Sequence, residues 1–287
     1  MKLLHNTSLG PYTVEISLLL RNSIFISGML TNAEIWFDIK KSEIELIEKT
    51  DRTLLLKIFK LPTTTPTVAL HLELGIIPLS VMIKARRVIY LHNILSSKRD
   101  GMLFRVFIVQ WHFPSRGDWT LQVKSDLKDF DLPVDLEVIT NFSKDKFKNI
   151  VKSKARSYAF NLLLLKKVNY TKLEPLQYAE FKTQSYLLDN KISHDDKISI
   201  LKMRTRMTSF GENFRGGRDQ VMCPLCSSHR DCQSFLLHCP ELKDELQAKF
   251  GPDYNKSIDE VFKEDIEVKT INLISYALDV RDSKLKC

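Results

Sequence analysis

Apolar residues recur every three to four positions along most of this chain, and strand-like alternation is scarce. That periodicity predicts a mainly α fold. Ile16, Leu19, Leu20 and Ile24 share one face of a first helix ending near Leu30. Ser42, with Glu45 three residues on, reads as a capping box. Behind it Ile44, Ile47, Leu54, Leu55 and Ile58 mark a second helix, stopped before Pro62. Thr63-Thr64-Thr65-Pro66 is a connector, and Glu73-Leu74-Gly75 leads to Pro78 as the first residue of a third helix. Its buried stripe is Leu79, Met82, Ile83, Tyr90, Leu91, Ile94 and Leu95, while Lys84 and Arg87 share another face.

Ser97 to Gly101 is a first boundary, and one near Asp189-Asn190-Lys191 is a second. Between them a short apolar helix covers Met102 to Val109, another covers Trp119 to Leu127, and a long one runs from Lys144 to about Lys166. The long helix turns Phe147, Ile150, Val151, Tyr158 and Leu162 inward and carries Lys144, Lys148, Lys152, Lys154 and Arg156 elsewhere. Ile266 to Val280 reads as a closing helix. The expected blocks are therefore a helical bundle over 1–98, a helical connector over 99–191, a basic cysteine-bearing segment over 192–250 and a C-terminal helix over 251–287.

At 287 residues the chain is long enough to bury a sizeable core. Its net charge of +8 favours a polyanionic partner, most simply RNA or DNA held by its phosphates. No stretch reads as a signal peptide or a membrane span, since Arg21 and Asn22 interrupt the longest apolar run. An intracellular protein, in nucleus or cytoplasm, with reduced thiols is the expectation.

Four of the five cysteines fall in one window: Cys223-Pro224-Leu225-Cys226, Cys232 and Cys239. Cys-x2-Cys on a tight turn brings two thiolates to one ion, so zinc is the candidate cofactor. The other two ligands of such a site usually come from one face of a following helix. Positions 235 and 239 have that spacing, but position 235 is Phe. Cys223, Cys226 and Cys239 are the candidate ligands, with Cys232, His229 or His238 to complete them. Seven residues separate Cys232 from Cys239, a rise of about 10 Å if the helix is continuous. Cys232 thus serves only if the helix starts after it. The competing reading is a metal-free remnant packed around Phe235.

A second signal is basic. Lys197, Lys202, Arg204, Arg206, Arg215, Arg218 and Arg230 surround the entry to the cysteines, with Phe210 and Phe214 among them. Cations grip phosphates without regard to sequence, and aromatics add stacking on unpaired bases. The plainer alternative buries Ile200, Leu201, Met203 and Met207 and leaves the arginines merely wetted. His194-Asp195-Asp196 looks like a metal-binding acidic pair. Ser193 with Asp196 instead reads as a capping box that opens a helix. His5, His71, His92 and His112 lie among apolar residues and read as structural. No nucleophile elbow, phosphate loop or H-E-x-x-H occurs.

Taken together, these residues resemble the C-terminal part of a non-LTR (LINE-type) retrotransposon reverse transcriptase. The cues run in order along the chain: Arg21 to Ile26, Asn32 to Trp36, Leu70 to Pro78, Arg86 to His92, Gly117-Asp118-Trp119, Arg204 to Met207 and the cysteine cluster. The resemblance implies a thumb-like three-helix bundle that holds a template–primer duplex by its backbone, with Lys84 and Arg87 on phosphates. A helical connector and a zinc knuckle contacting RNA or target DNA would follow. Phe235 stands where that knuckle's histidine belongs. The family's palm aspartates and endonuclease have no counterpart in these residues, so a non-enzymatic nucleic-acid-binding fragment is expected, one that can also dock on an intact reverse transcriptase. The alternative is a helical protein-interaction module or an inert retroelement relic without a selected ligand.

Overall fold

A computed structural model describes residues 13–98, 101–213, 221–251, 258–263 and 266–286. It is mainly α, with 13 α-helices among the described residues. In chain order these are α1 (Val14–Leu20), α2 (Ser27–Met29), α3 (Lys41–Ile58), α4 (Thr67–Leu74), α5 (Leu79–Leu95), α6 (Met102–His112) and α7 (Trp119–Asp129). Then come α8 (Leu136–Thr140), α9 (Lys144–Lys167), α10 (Ser185–Leu188), α11 (His194–Arg204), α12 (Pro240–Phe250) and α13 (Val268–Lys284). No single described helix is long and apolar enough to cross a membrane.

The chain divides into two compact units. One comprises residues 1–18, 55–76 and 166–287; the other comprises 19–54 and 77–165. This partition cuts across the four contiguous blocks expected from helical periodicity and boundary segments. The first 98 residues are shared between both units.

The reason is legible at α4, a helix that the periodic pattern did not reveal. Every residue from Val68 to Leu74 is buried, so its sequence has no polar face to betray a helical period. Glu73 sits within this apolar run and is fully buried, and only a distant partner can neutralise it. Arg204, also fully buried, supplies its Nε at 2.9 and 2.8 Å from the two Glu73 carboxylate oxygens. Tyr178 and Tyr186 donate their hydroxyls to the same carboxylate at 2.6 and 3.0 Å. Burial, and then the Glu73 charge, hold both phenols well above their usual pKa.

Gly75 ends α4 in the left-handed region, at φ 61°. A Cβ there would lie 2.5 Å from backbone atoms of Lys182 and Thr183. The segment at 183–184 is pinned in place by the Leu74–Thr183 bridge and by the Gln184 N–H donating to the Glu73 carbonyl at 3.0 Å. Around this network Leu55, Phe59, Leu70, Leu201, Leu246 and Ile274 form one apolar core.

In the other unit, Ile26, Leu30, Ala33, Leu79 and Ile83 pack together. Arg21 opens a π-helical turn, Arg21–Ile26, and its buried guanidinium pairs with Asp51 of α3. Trp119 donates its indole N–H to the Glu34 carbonyl at 2.8 Å. His92 contacts the Phe142 carbonyl through Nε2 at 2.9 Å and stacks on Phe147, a structural role as expected.

The two capping boxes read from the sequence fare differently, and Pro78 is the N-cap of α5 rather than its first residue. The Ser193 hydroxyl accepts from the Asp196 N–H at 3.1 Å, so the acidic pair belongs to the cap of α11. At α3 the cap lies two residues earlier than Ser42 and Glu45. There the Lys40 N–H donates to the Glu43 carboxylate at 2.9 Å, while Glu45 faces Lys41.

Candidate metal centre and cationic surfaces

The cysteine segment is a small hairpin followed by a tight turn. Met222 and Arg230 form an antiparallel bridge. The Cys223 N–H donates to the His229 carbonyl at 2.6 Å, and the Ser227 N–H donates to the Cys223 carbonyl at 2.8 Å. Ser227 turns the chain in the left-handed region, φ 51°. Gln233–His238 is a 3₁₀ helix, and Cys239 is the extended residue that caps α12, with Pro240 as its first residue. Positions 235 and 239 therefore do not share a face of one α-helix, which corrects the spacing argument. The shorter 3₁₀ turn and the break at Cys239 deliver this thiol to the hairpin instead.

Cys223, Cys226 and Cys239 each place a sulfur within 4.8 Å of the other two. The Cys223 and Cys239 sulfurs are 3.9 Å apart. A tetrahedral ion with bonds of about 2.3 Å requires sulfurs about 3.8 Å apart, so the three thiols can hold a metal ion. Burial raises the Cys226 thiol. Hydrogen bonds from the Ser228 N–H, the His229 ring, Cys223 and the His229 N–H outweigh that effect and draw its pKa down to about 6. Burial and the nearby Cys223 charge push Cys239 up to about 12, against a hydrogen bond from the Glu241 N–H. Cys232 stands outside the group, its sulfur 3.1 Å from the Ser234 hydroxyl.

The cations meet different fates. Arg204 lies inside the core on Glu73, with Nη1 donating to the Val261 and Lys263 carbonyls at 2.5 and 2.8 Å. Arg87 is buried against Asp126, with Nε at 2.7 Å, and also donates to the Trp36 carbonyl at 3.1 Å. Neither offers a face to phosphate, and this corrects both expectations: each arginine is consumed by a buried carboxylate. Burial holds the Asp126 pKa above the usual carboxylate range even though Arg87 and Lys84 lower it.

Lys84 pairs with Asp129 and lies over the Tyr158 ring. Arg206 bonds Glu212 at 3.0 Å and the Gln233 side chain at 2.6 Å. Lys202 is half-buried and has no ion pair among the described residues. Arg215, Arg218 and Phe214 lie outside the described residues. Phe210 is buried beneath the Arg281 guanidinium rather than presented to bases. Sequence reading missed the buried Arg281–Asp231 pair, at 2.9 Å.

One cationic face is open. Lys144, Lys148 and Lys152 recur every fourth residue on the exposed side of α9, and none has an ion pair among the described residues. Their spacing is about 6 Å along the axis. Arg156, also exposed, continues the register.

Comparison with known proteins finds no matching family profile, curated protein or solved structure.

Proposed function

We propose that this chain is a non-catalytic, nucleic-acid-binding part of a non-LTR retrotransposon reverse transcriptase, with zinc held by Cys223, Cys226 and Cys239. The observation that carries the binding reading is the exposed lysine row of α9. Regularly spaced unpaired ammonium groups neutralise successive phosphates and release counterions, so affinity is electrostatic and indifferent to sequence. Lys202 adds a half-exposed cation in the other unit. The sulfur geometry and the tight Cys-x2-Cys turn support zinc over hard cations, which prefer oxygen ligands. The test measures binding to single-stranded RNA and to duplex DNA at two salt concentrations. Binding that weakens steeply with salt for both polymers is expected; no binding at the lower salt sinks the reading.

A second reading is supported by α6. Met102, Val106, Val109 and Phe113 are exposed at four-, three- and four-residue intervals, an apolar stripe beside exposed Leu103. Such a row marks a surface for another protein, including an intact reverse transcriptase. Sedimentation at rising concentration and pull-down with that enzyme test it. A Val106→Glu variant should abolish whatever association is seen.

A further inference from the structure

We propose that His229, through Nδ1, is the fourth ligand of the metal centre formed by Cys223, Cys226 and Cys239, with Phe235 as the residue that positions its ring. The inference rests on the reading of those three thiols as a metal site. Three residues can complete them, and they stand differently in the fold. Cys232 engages the Ser234 hydroxyl through its sulfur, at 3.1 Å. His238 is exposed, its ring 5.8 Å from Phe235. His229 alone among the three has a ring nitrogen beside a cluster sulfur, 3.9 Å from Cys226.

That separation is the right kind of edge. In a tetrahedron of three sulfurs and one nitrogen, with bonds of about 2.3 and 2.0 Å, sulfur–nitrogen edges measure about 3.5 Å and sulfur–sulfur edges about 3.8 Å. Cys223–Cys239 and Cys226–His229, each 3.9 Å, are two opposite edges of such a figure. The backbone is already committed, because the Cys223 amide is bonded to the His229 carbonyl across the hairpin. Nδ1 is not yet within 4.8 Å of all three sulfurs, so ligation requires the side chain to shift toward Cys223 and Cys239 while its ring stays stacked on Phe235.

Phe235 explains why the ring is ready. It lies nearly parallel to the His229 ring, with centroids 4.1 Å apart and planes 19° apart. A phenyl ring cannot ligate, but a flat stack fixes the plane of the imidazole, which is the usual work of groups around a metal ligand. The aromatic at 235 is thus compatible with a closed four-ligand site whose histidine comes from the hairpin.

The full chain, stripped and reloaded with zinc, should show three sulfurs and one imidazole by X-ray absorption. His229→Ala should lose the imidazole signal and bind zinc at least about tenfold more weakly, whereas His238→Ala and Cys232→Ser should keep both signal and affinity. Phe235→Leu should keep the imidazole and weaken binding; unchanged affinity there would remove Phe235 from its positioning role. Imidazole missing from the native protein, or persisting in His229→Ala, overturns the assignment while leaving the three-thiol site intact. Failure of the native protein to retain any zinc brings down the metal site itself. Should His229→Ala not fold, the native spectrum and the His238 and Cys232 variants still decide.

Discussion

Glu73 and Arg204 show how one buried charge pair organises the residues around it. Both side chains are fully buried, and their sequence separation of 131 residues ties α4 to α11 within one unit. Removing one partner strands the other in an apolar core, which costs about 3–5 kcal/mol. Glu73→Ala should therefore lower the unfolding free energy of this unit, read from denaturant titration, by that amount, and a change below about 1 kcal/mol would show that the pair contributes little. The sequence held a signal for it, a lone acid inside Leu70-His71-Leu72-Glu73-Leu74. Such a charge is either exposed or paired, and the partner's identity is a matter of space rather than pattern. Its basic neighbours make Arg204 look like a phosphate contact in the sequence. Gly75 is more local: Gly75→Ala adds a Cβ that meets backbone at 2.5 Å and holds a left-handed φ. It should destabilise by more than about 1 kcal/mol in the same measurement.

Among the elements, α9 and α11 separate what periodicity can and cannot settle. The long amphipathic pattern gave α9 its bounds almost to the residue, but the buried face is Phe147, Val151, Ala155, Ala159 and Leu163, with Ile150, Tyr158 and Leu162 only half-buried. The same wheel leaves Lys144, Lys148 and Lys152 outward. Reversing these three to glutamate should leave stability within about 0.5 kcal/mol, since each is exposed and unpaired among the described residues. It should also flatten the salt dependence of DNA binding by about 2.7 in the logarithmic slope, for three lost phosphate contacts. An unchanged slope would place binding on another surface. On α11 the cap is equally legible, and Ser193→Ala should cost about 1 kcal/mol of stability. By contrast α4 gave no period, since a helix buried all round looks like any apolar run.

For the molecule as a whole, metal and fold are linked through one unit. The three thiols, the hairpin and α12 all belong to the unit built from residues 1–18, 55–76 and 166–287. An ion bound only by the folded form stabilises it by about 4 kcal/mol when free zinc is a thousandfold above its dissociation constant. Chelation should therefore lower the unfolding midpoint of this unit selectively; equal midpoints with and without zinc would speak against a folded-state site. By itself the sequence determined the helical class, the long helices α5 and α9, the Ser193 cap and the candidate thiols. These depend on neighbours three or four residues away, and local spacing encodes them. Only tertiary structure decided how the segments divide into units, which arginines are consumed by buried acids, and which histidine ring stands beside the sulfurs. Those outcomes depend on residues dozens of positions apart meeting in an apolar interior, where an unpaired charge is too costly to leave alone.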